Sequence, residues 1–186
     1  MKHFCSDIRD EHLTEFSQAL FVRQFSAKEM VYETNAIQEH VIFITKGMVR
    51  SHYISETGDD ITSWFIAENE FVTDYPAFLS RKPSRYAFET LEPTTGVFLP
   101  KSAINEGYAK HAPLEKYGRL VAEFILSVQQ ERIESFLFKS AKERYLEVLG
   151  HPADLVNRAS QRHLASYIGI ERQSLTRIRK QLLTEK

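Results

Sequence analysis

The sequence predicts an α+β chain in three parts: an antiparallel β unit, one long helix and a C-terminal pair of short helices. Three observations carry this. Between Phe21 and about Pro100, apolar residues recur in short runs at a strand-like period, punctuated by turn residues. After Pro113, the residues Leu114, Gly118, Val121, Ile125 and Val128 stand at the 4-3-4-3 spacing of a coiled-coil seam. From Ser160 to Leu182, two amphipathic helical patterns meet at Gly169.

The chain of 186 residues has ample material for a buried core, with 42% apolar and 26% charged residues. No apolar run approaches the ~20 residues that span a bilayer, and Met1–Asp10 has no apolar signal core. A single cysteine, Cys5, excludes an internal disulfide framework and a cysteine-ligated cluster. The expected compartment is the cytoplasm, with no membrane partner. Net charge is −1 but unevenly spread. Residues 1–111 hold 11 Lys/Arg against 16 Asp/Glu, and residues 158–186 hold 7 against 2. Basic charge confined to the C-terminal unit is what a polyanion-binding end requires.

In chain order, residues 7–21 read as a helix, with Ile8, Leu13, Phe16 and Leu20 on one stripe. Val22–Ser26, Met30–Tyr32, Val41–Thr45, Met48–Ser55, Ile61–Ile66, Tyr86–Leu91 and Gly96–Pro100 belong to a set of roughly eight strands. Lys46-Gly47 and Glu56-Thr-Gly58-Asp-Asp are the turns among them. Regular short strands of this kind predict a closed or double-sheet antiparallel structure. The connection Phe71–Arg85 carries two prolines, has room for a short helix and is where a ligand pocket is expected.

Residues 102–109 predict a brief helix. The long helix after Pro113 has a second apolar stripe, Leu120, Phe124 and Ile133, so it needs two things to pack against. Those are its own β unit and a second copy of itself, or, in the alternative, the core of a monomer. Ala141–Leu149 is a further helix stopped by Gly150 and Pro152, and Pro152–Ala159 reads as a short connector.

Ser160 is a hydroxyl N-cap candidate, and Leu164, Ala165 and Ile168 follow at helical spacing. Leu175, Ile178 and Leu182 form the apolar side of the next helix, opposite Arg172, Gln173, Thr176, Arg177, Arg179 and Lys180. Such a pair is either a helical hairpin with a solvated basic face or a helix-turn-helix whose second helix enters a DNA major groove. Small Ala165, the glycine turn and Gln/Arg side chains in the first turn of the second helix favour the latter. No Ser/His/Asp set, metal-ligand spacing or glycine-rich phosphate loop appears, so no catalysis and no metal site are expected.

Val41-Ile-Phe-Ile-Thr-Lys-Gly47-Met-Val-Arg resembles the strand-Gly-strand signature of the Crp/Fnr family of bacterial transcription regulators. Leu164-Ala-Ser-Tyr-Ile-Gly-Ile-Glu-Arg-Gln-Ser-Leu-Thr-Arg-Ile-Arg is similar to that family's DNA-reading motif, and the compact form looks most like the short regulators of Bacteroidetes. The resemblance implies an N-terminal antiparallel β-roll (double-stranded β-helix, jelly-roll-like), a long dimerisation helix and a C-terminal helix-turn-helix. The expected divisions are 1–111, 112–138 and 139–186. It implies a homodimer on a palindromic operator in double-stranded DNA, with reading helices about 34 Å apart, and allows RNA polymerase as a further partner. The runner-up is a ligand-binding signalling module without DNA binding.

On the resemblance, Arg172 matches an arginine that pairs with guanine O6 and N7, and Arg177 a second base reader. Gln173 stands where many members have Glu, and an amide suits adenine N6 and N7. The expected half-site therefore differs from that of the cyclic-AMP receptor. Gln161, Arg162, Ser174, Thr176 and Lys180 are assigned to phosphates. Leu114, Gly118, Val121, Ile125 and Val128 are the expected dimer interface.

Members that bind cyclic AMP carry Gly-Glu where this chain is read as Glu70-Phe71, and Arg-Ser or Arg-Ala near Ser84-Arg85. No cyclic-nucleotide cofactor is therefore expected, and Thr73, Asp74, Ser84 and Arg85 mark a site for an unknown small-molecule effector. Arg81 and Lys82 stand nearby as anion contacts or as solvated loop charges. His40, His52 and His111 carry no haem-ligand mark. Pro152–Ala159 is too short for the β-hairpin wing usual in the family.

Overall fold

The computed structural model describes residues 6–184; Cys5 lies outside them. Eight strands form two four-stranded antiparallel sheets, as the turn spacing predicts. They are β1 (Phe21–Phe25), β2 (Met30–Tyr32), β3 (His40–Lys46), β4 (Val49–Ile54), β5 (Asp60–Ile66), β6 (Phe71–Val72), β7 (Ala87–Thr90) and β8 (Thr94–Pro100). One sheet runs β1-β8-β3-β6 and the other β2-β7-β4-β5. Between them Phe25, Ile42, Ile44, Val49, Ile66, Val72, Phe88 and Phe98 fill the interior. This is the expected jelly-roll-like β-roll.

Gly47 joins β3 to β4 at φ +94°, and a Cβ there would meet Thr94 Oγ1 at 2.4 Å and the Pro93 carbonyl at 2.7 Å. The turn has room for glycine alone. The connection from β6 to β7 contains the short helix α2 (Tyr75–Ser80).

Helix α1 (Asp10–Gln18), α3 (Lys101–Lys110) and the first turns of α4 (Ala112–Phe138) pack as one layer. Ile8 and Leu114 are buried there beside Leu13, Phe16, Tyr117 and Leu120. This corrects two seam expectations. Leu114 is 2% exposed, sealed inside its own protomer. Gly118 faces the Tyr108 side chain, whose hydroxyl would lie 1.9 Å from an added Cβ. Val121 and Val128 are half-buried, and Ile125 is 38% exposed.

Helix α5 (Ala141–Leu149) starts on a capping box in which Ser140 and Glu143 satisfy each other's backbone N–H. Pro152–Ala159, read as a plain connector, holds a helical turn, α6 (Leu155–Arg158), because Leu155 is drawn completely into the core. No wing hairpin occurs here.

Helices α7 (Gln161–Tyr167) and α8 (Arg172–Thr184) follow. Their apolar faces do not form a separate core. Leu164, Ala165, Tyr167, Ile168, Leu175 and Ile178 share one buried cluster with Met48, Phe65 and Ala67 of the β-roll. Helix α7 lies along β5, where the Thr62 backbone N–H donates to Ser166 Oγ at 2.8 Å.

Candidate nucleic-acid interface

Ser160 caps α7 as predicted, its hydroxyl accepting from the His163 backbone N–H at 3.2 Å. Gly169 breaks the helix at φ +72°, and a Cβ on it would approach the Phe136 ring to 2.8 Å. The turn therefore needs glycine both for its dihedral and for the close approach of α4. Leu175 and Ile178 then pin α8 by its apolar side.

The opposite side of α8 is open. Arg172, Gln173, Thr176, Arg177 and Lys180 are all exposed, within an arc of about 140° on a helix of 3.6 residues per turn. Among the described residues no carboxylate pairs with Arg172, Arg177 or Lys180. Thr176 spends its hydroxyl on the Arg172 carbonyl at 3.1 Å, leaving its oxygen lone pairs outward. Gln161 and Arg162 are exposed at the start of α7, while Ser174 and Arg179 are half-buried flanks. The structure thus brings the expected base readers onto one solvent face.

Arg158 is different. Counted by charge, it belongs to the basic end, yet its guanidinium turns back to Glu68 at 2.9 and 3.0 Å and to Glu92 at 2.5 Å. Its positive charge is consumed by the β-roll. Sequence reasoning missed this role because the two glutamates lie 90 and 66 residues away. It missed Arg132 too, whose guanidinium packs 3.6 Å from the Tyr167 ring centre and 4.6 Å from that of Phe136.

A buried charged cluster lies under α7. Arg50 bonds Asp60 at 2.7 Å and Glu89 at 3.2 Å. His52 flanks it with Nδ1 3.1 Å from the Asp60 carboxylate, and His163 flanks it with a buried Nδ1 that lacks a hydrogen-bond partner among the described residues. Burial, and after it the Arg50 charge, push both imidazole pKa values below the ordinary histidine range. Of the other two histidines read as carrying no haem-ligand mark, His40 meets the Phe98 ring edge-on and His111 lies tilted against His12.

The expected effector residues come together around the mouth of α2, but as a closed set. Asp74 caps the helix, accepting from the Ala77 backbone N–H at 3.3 Å, and takes the Ser84 hydroxyl on its other oxygen at 2.8 Å. Ser84 is buried. Buried Gln38 takes the Thr73 hydroxyl at 3.1 Å and the Asp74 backbone N–H at 2.8 Å. Arg85 is exposed, on the rim of an open cleft of about 500 Å³ that Asp74, Asn35 and Lys82 also line. Glu70 belongs to the preceding turn, where its carboxylate accepts from the Ala67 backbone N–H at 2.8 Å.

A jelly-roll domain, one long helix and a helix-turn-helix packed against the roll define the fold. Residues 22–111 match the family model described as the cyclic nucleotide-binding domain. Over 90% of this chain and 86% of theirs, the coordinates superpose on FixK2 from Bradyrhizobium japonicum with TM-score 0.72 at 20% identity. The regulator CLP of Xanthomonas campestris, described as c-di-GMP responsive, aligns over 95% of this chain and 93% of its own with TM-score 0.71 at 15% identity. A Crp/Fnr-family regulator from Eubacterium rectale aligns over 97% and 86% with TM-score 0.70 at 16% identity. The resemblance to Crp/Fnr regulators is thus borne out in the domain and in the fold. A search of curated proteins finds no match.

The domain family implies a cyclic nucleotide, and the residues present do not fit one. Thr73 carries a side chain bonded to Gln38. The Asp74 N–H and the Ser84 hydroxyl already serve protein acceptors. One of those acceptors is a carboxylate, which repels an anion.

Proposed function

We propose that this chain is a sequence-specific DNA-binding transcription regulator of Crp/Fnr type, working as a homodimer and without a cyclic nucleotide. The observation that carries the reading is the outer face of α8: Arg172, Gln173, Arg177 and Lys180 exposed together with no carboxylate among the described residues to neutralise them. A solvated structural helix has no need of such a face beside a turn held by Gly169. On this reading Arg172, Gln173 and Arg177 meet base edges in the major groove, while Gln161, Arg162, Ser174, Thr176 and Lys180 hold phosphates.

The second copy packs on α4. With Leu114 and Gly118 engaged inside the protomer, the seam runs over Val121, Ile125 and Val128. Farther along, Leu126, Ile133 and Leu137 leave more apolar surface exposed than a monomeric helix in water tolerates well. Two-fold symmetry then places two copies of α8 about 34 Å apart, one helical turn of DNA.

Selection from a random duplex pool with the purified full-length protein tests this reading. It should return a palindrome with half-sites one turn apart, without any added nucleotide. Recovery of no sequence above the random pool would overturn it in favour of a signalling module.

A further inference from the structure

Arg158 stands at the end of α6, two residues before the Ser160 cap of α7. Its fork takes both oxygens of Glu68, at 3.0 and 2.9 Å, and reaches Glu92 at 2.5 Å, while Nη1 also donates to the Ala153 carbonyl at 3.2 Å. Glu68 lies between β5 and β6, and Glu92 between β7 and β8. Glu68 is itself anchored, because the Gly47 backbone N–H donates to it at 2.8 Å from the β3–β4 turn. Three turns at one end of the β-roll therefore converge on a single guanidinium. Bidentate charge-assisted pairs fix direction as well as distance. The Arg158 side chain is 20% exposed, so solvent screens the contact less than it would a surface pair. Consistent with this, the arginine holds the Glu68 carboxyl down to about 2.

Resting on the DNA-binding reading above, we propose that Arg158 is a positioning residue for DNA reading: its grip on Glu68 and Glu92 sets the angle at which the helix-turn-helix leaves the β-roll, and so the half-site spacing that the dimer accepts. Along the other edge, Ser166 bonds Thr62, and its hydroxyl donates to the Asp60 carbonyl at 3.3 Å. That edge fixes position along β5. The clamp at Arg158 fixes rotation about it. Without the guanidinium, Glu68 and Glu92 lose their shared cation, and the apolar contact with the roll and the Ser166–Thr62 bond hold the angle less narrowly. Lysine keeps the charge but not the fork, and holds one carboxylate at a time.

The test uses the full chain, wild type, Arg158→Ala and Arg158→Lys, each checked for folding by circular dichroism. Operators differing by one base pair in half-site spacer are compared by fluorescence anisotropy. Wild type should prefer one spacer by about tenfold, a difference of one decade in the binding constant. Arg158→Ala should compress that preference to about twofold and Arg158→Lys should fall between, with binding to an isolated half-site unchanged. A variant that keeps the wild-type spacer preference overturns the proposal. A DNA-free arm separates this from failure of the DNA reading. Spin labels at Glu56→Cys and Leu183→Cys in a Cys5→Ser background, diluted with unlabelled chain, report the distance from roll to α8. The distribution should be narrow with Arg158 and broad with alanine. A distribution equally narrow in both overturns the clamp even if no operator is bound.

Discussion

Ser84 donates its hydroxyl to the Asp74 carboxylate at 2.8 Å, and the other oxygen of that carboxylate accepts from the Ala77 backbone N–H. The chain therefore supplies its own anion at the place where the domain family's name implies a phosphate. Cyclic AMP and cyclic GMP should leave the melting temperature unchanged at millimolar concentration. A ligand at ~100 times its Kd would add about 2.7 kcal/mol and be unmistakable. A saturable shift in the wild-type protein would show that the site opens after all.

The two buried imidazoles predict an acid-labile joint. His52 and His163 face Arg50, Asp60 and Glu89 from β4, β5 and β7, with Arg162 beside His163 on its own helix. Burial, then Arg50, lowers both pKa values in the folded state, so below the ordinary histidine value of about 6.5 the unfolded chain binds more protons than the folded one. Stability is complete above that pH and falls as acid carries the solution down towards the lowered values. Urea unfolding at pH 7.5 and pH 5.5 should show this loss, and the double variant His52→Gln, His163→Gln should show less of it. An identical pH dependence in the variant would assign the effect to other groups.

The two ends of the apolar α4 pattern should respond differently to substitution. Leu114→Ala empties a site inside one protomer and should cost about 2–5 kcal/mol in unfolding without changing the oligomeric state. Ile125→Glu places a charge on the proposed seam and should give monomers with near-normal monomer stability. Sedimentation velocity with urea melts distinguishes them, and a dimeric Ile125→Glu protein would remove Ile125 from the interface.

What was legible in the chain was local. Ser160, Gly169 and Gly47 announced a cap and two turns because capping and positive φ are decided within a few residues. The exposed face of α8 followed from its 3.6-residue period. What was hidden was long-range. Leu114 and Gly118 fit the heptad spacing of a seam, but spacing does not say which neighbour fills it, and α1 and α3 do. Leu155 turned a connector into helix through burial against residues far away in sequence. Arg158 reads as one more basic residue until the fold brings Glu68 and Glu92 to it. Gln38 was hidden in the same way, since it lies more than thirty residues from the Thr73-Asp74 pair it holds.

Base reading by α8 rests first on Arg172. Anisotropy titrations of wild type and Arg172→Ala on the selected operator and on random duplex, at one salt concentration, compare specific with non-specific binding. Arg172→Ala should lose about 1–3 kcal/mol on the operator and little on random DNA. Equal losses on both duplexes, or no loss on either, would contradict base reading by this helix.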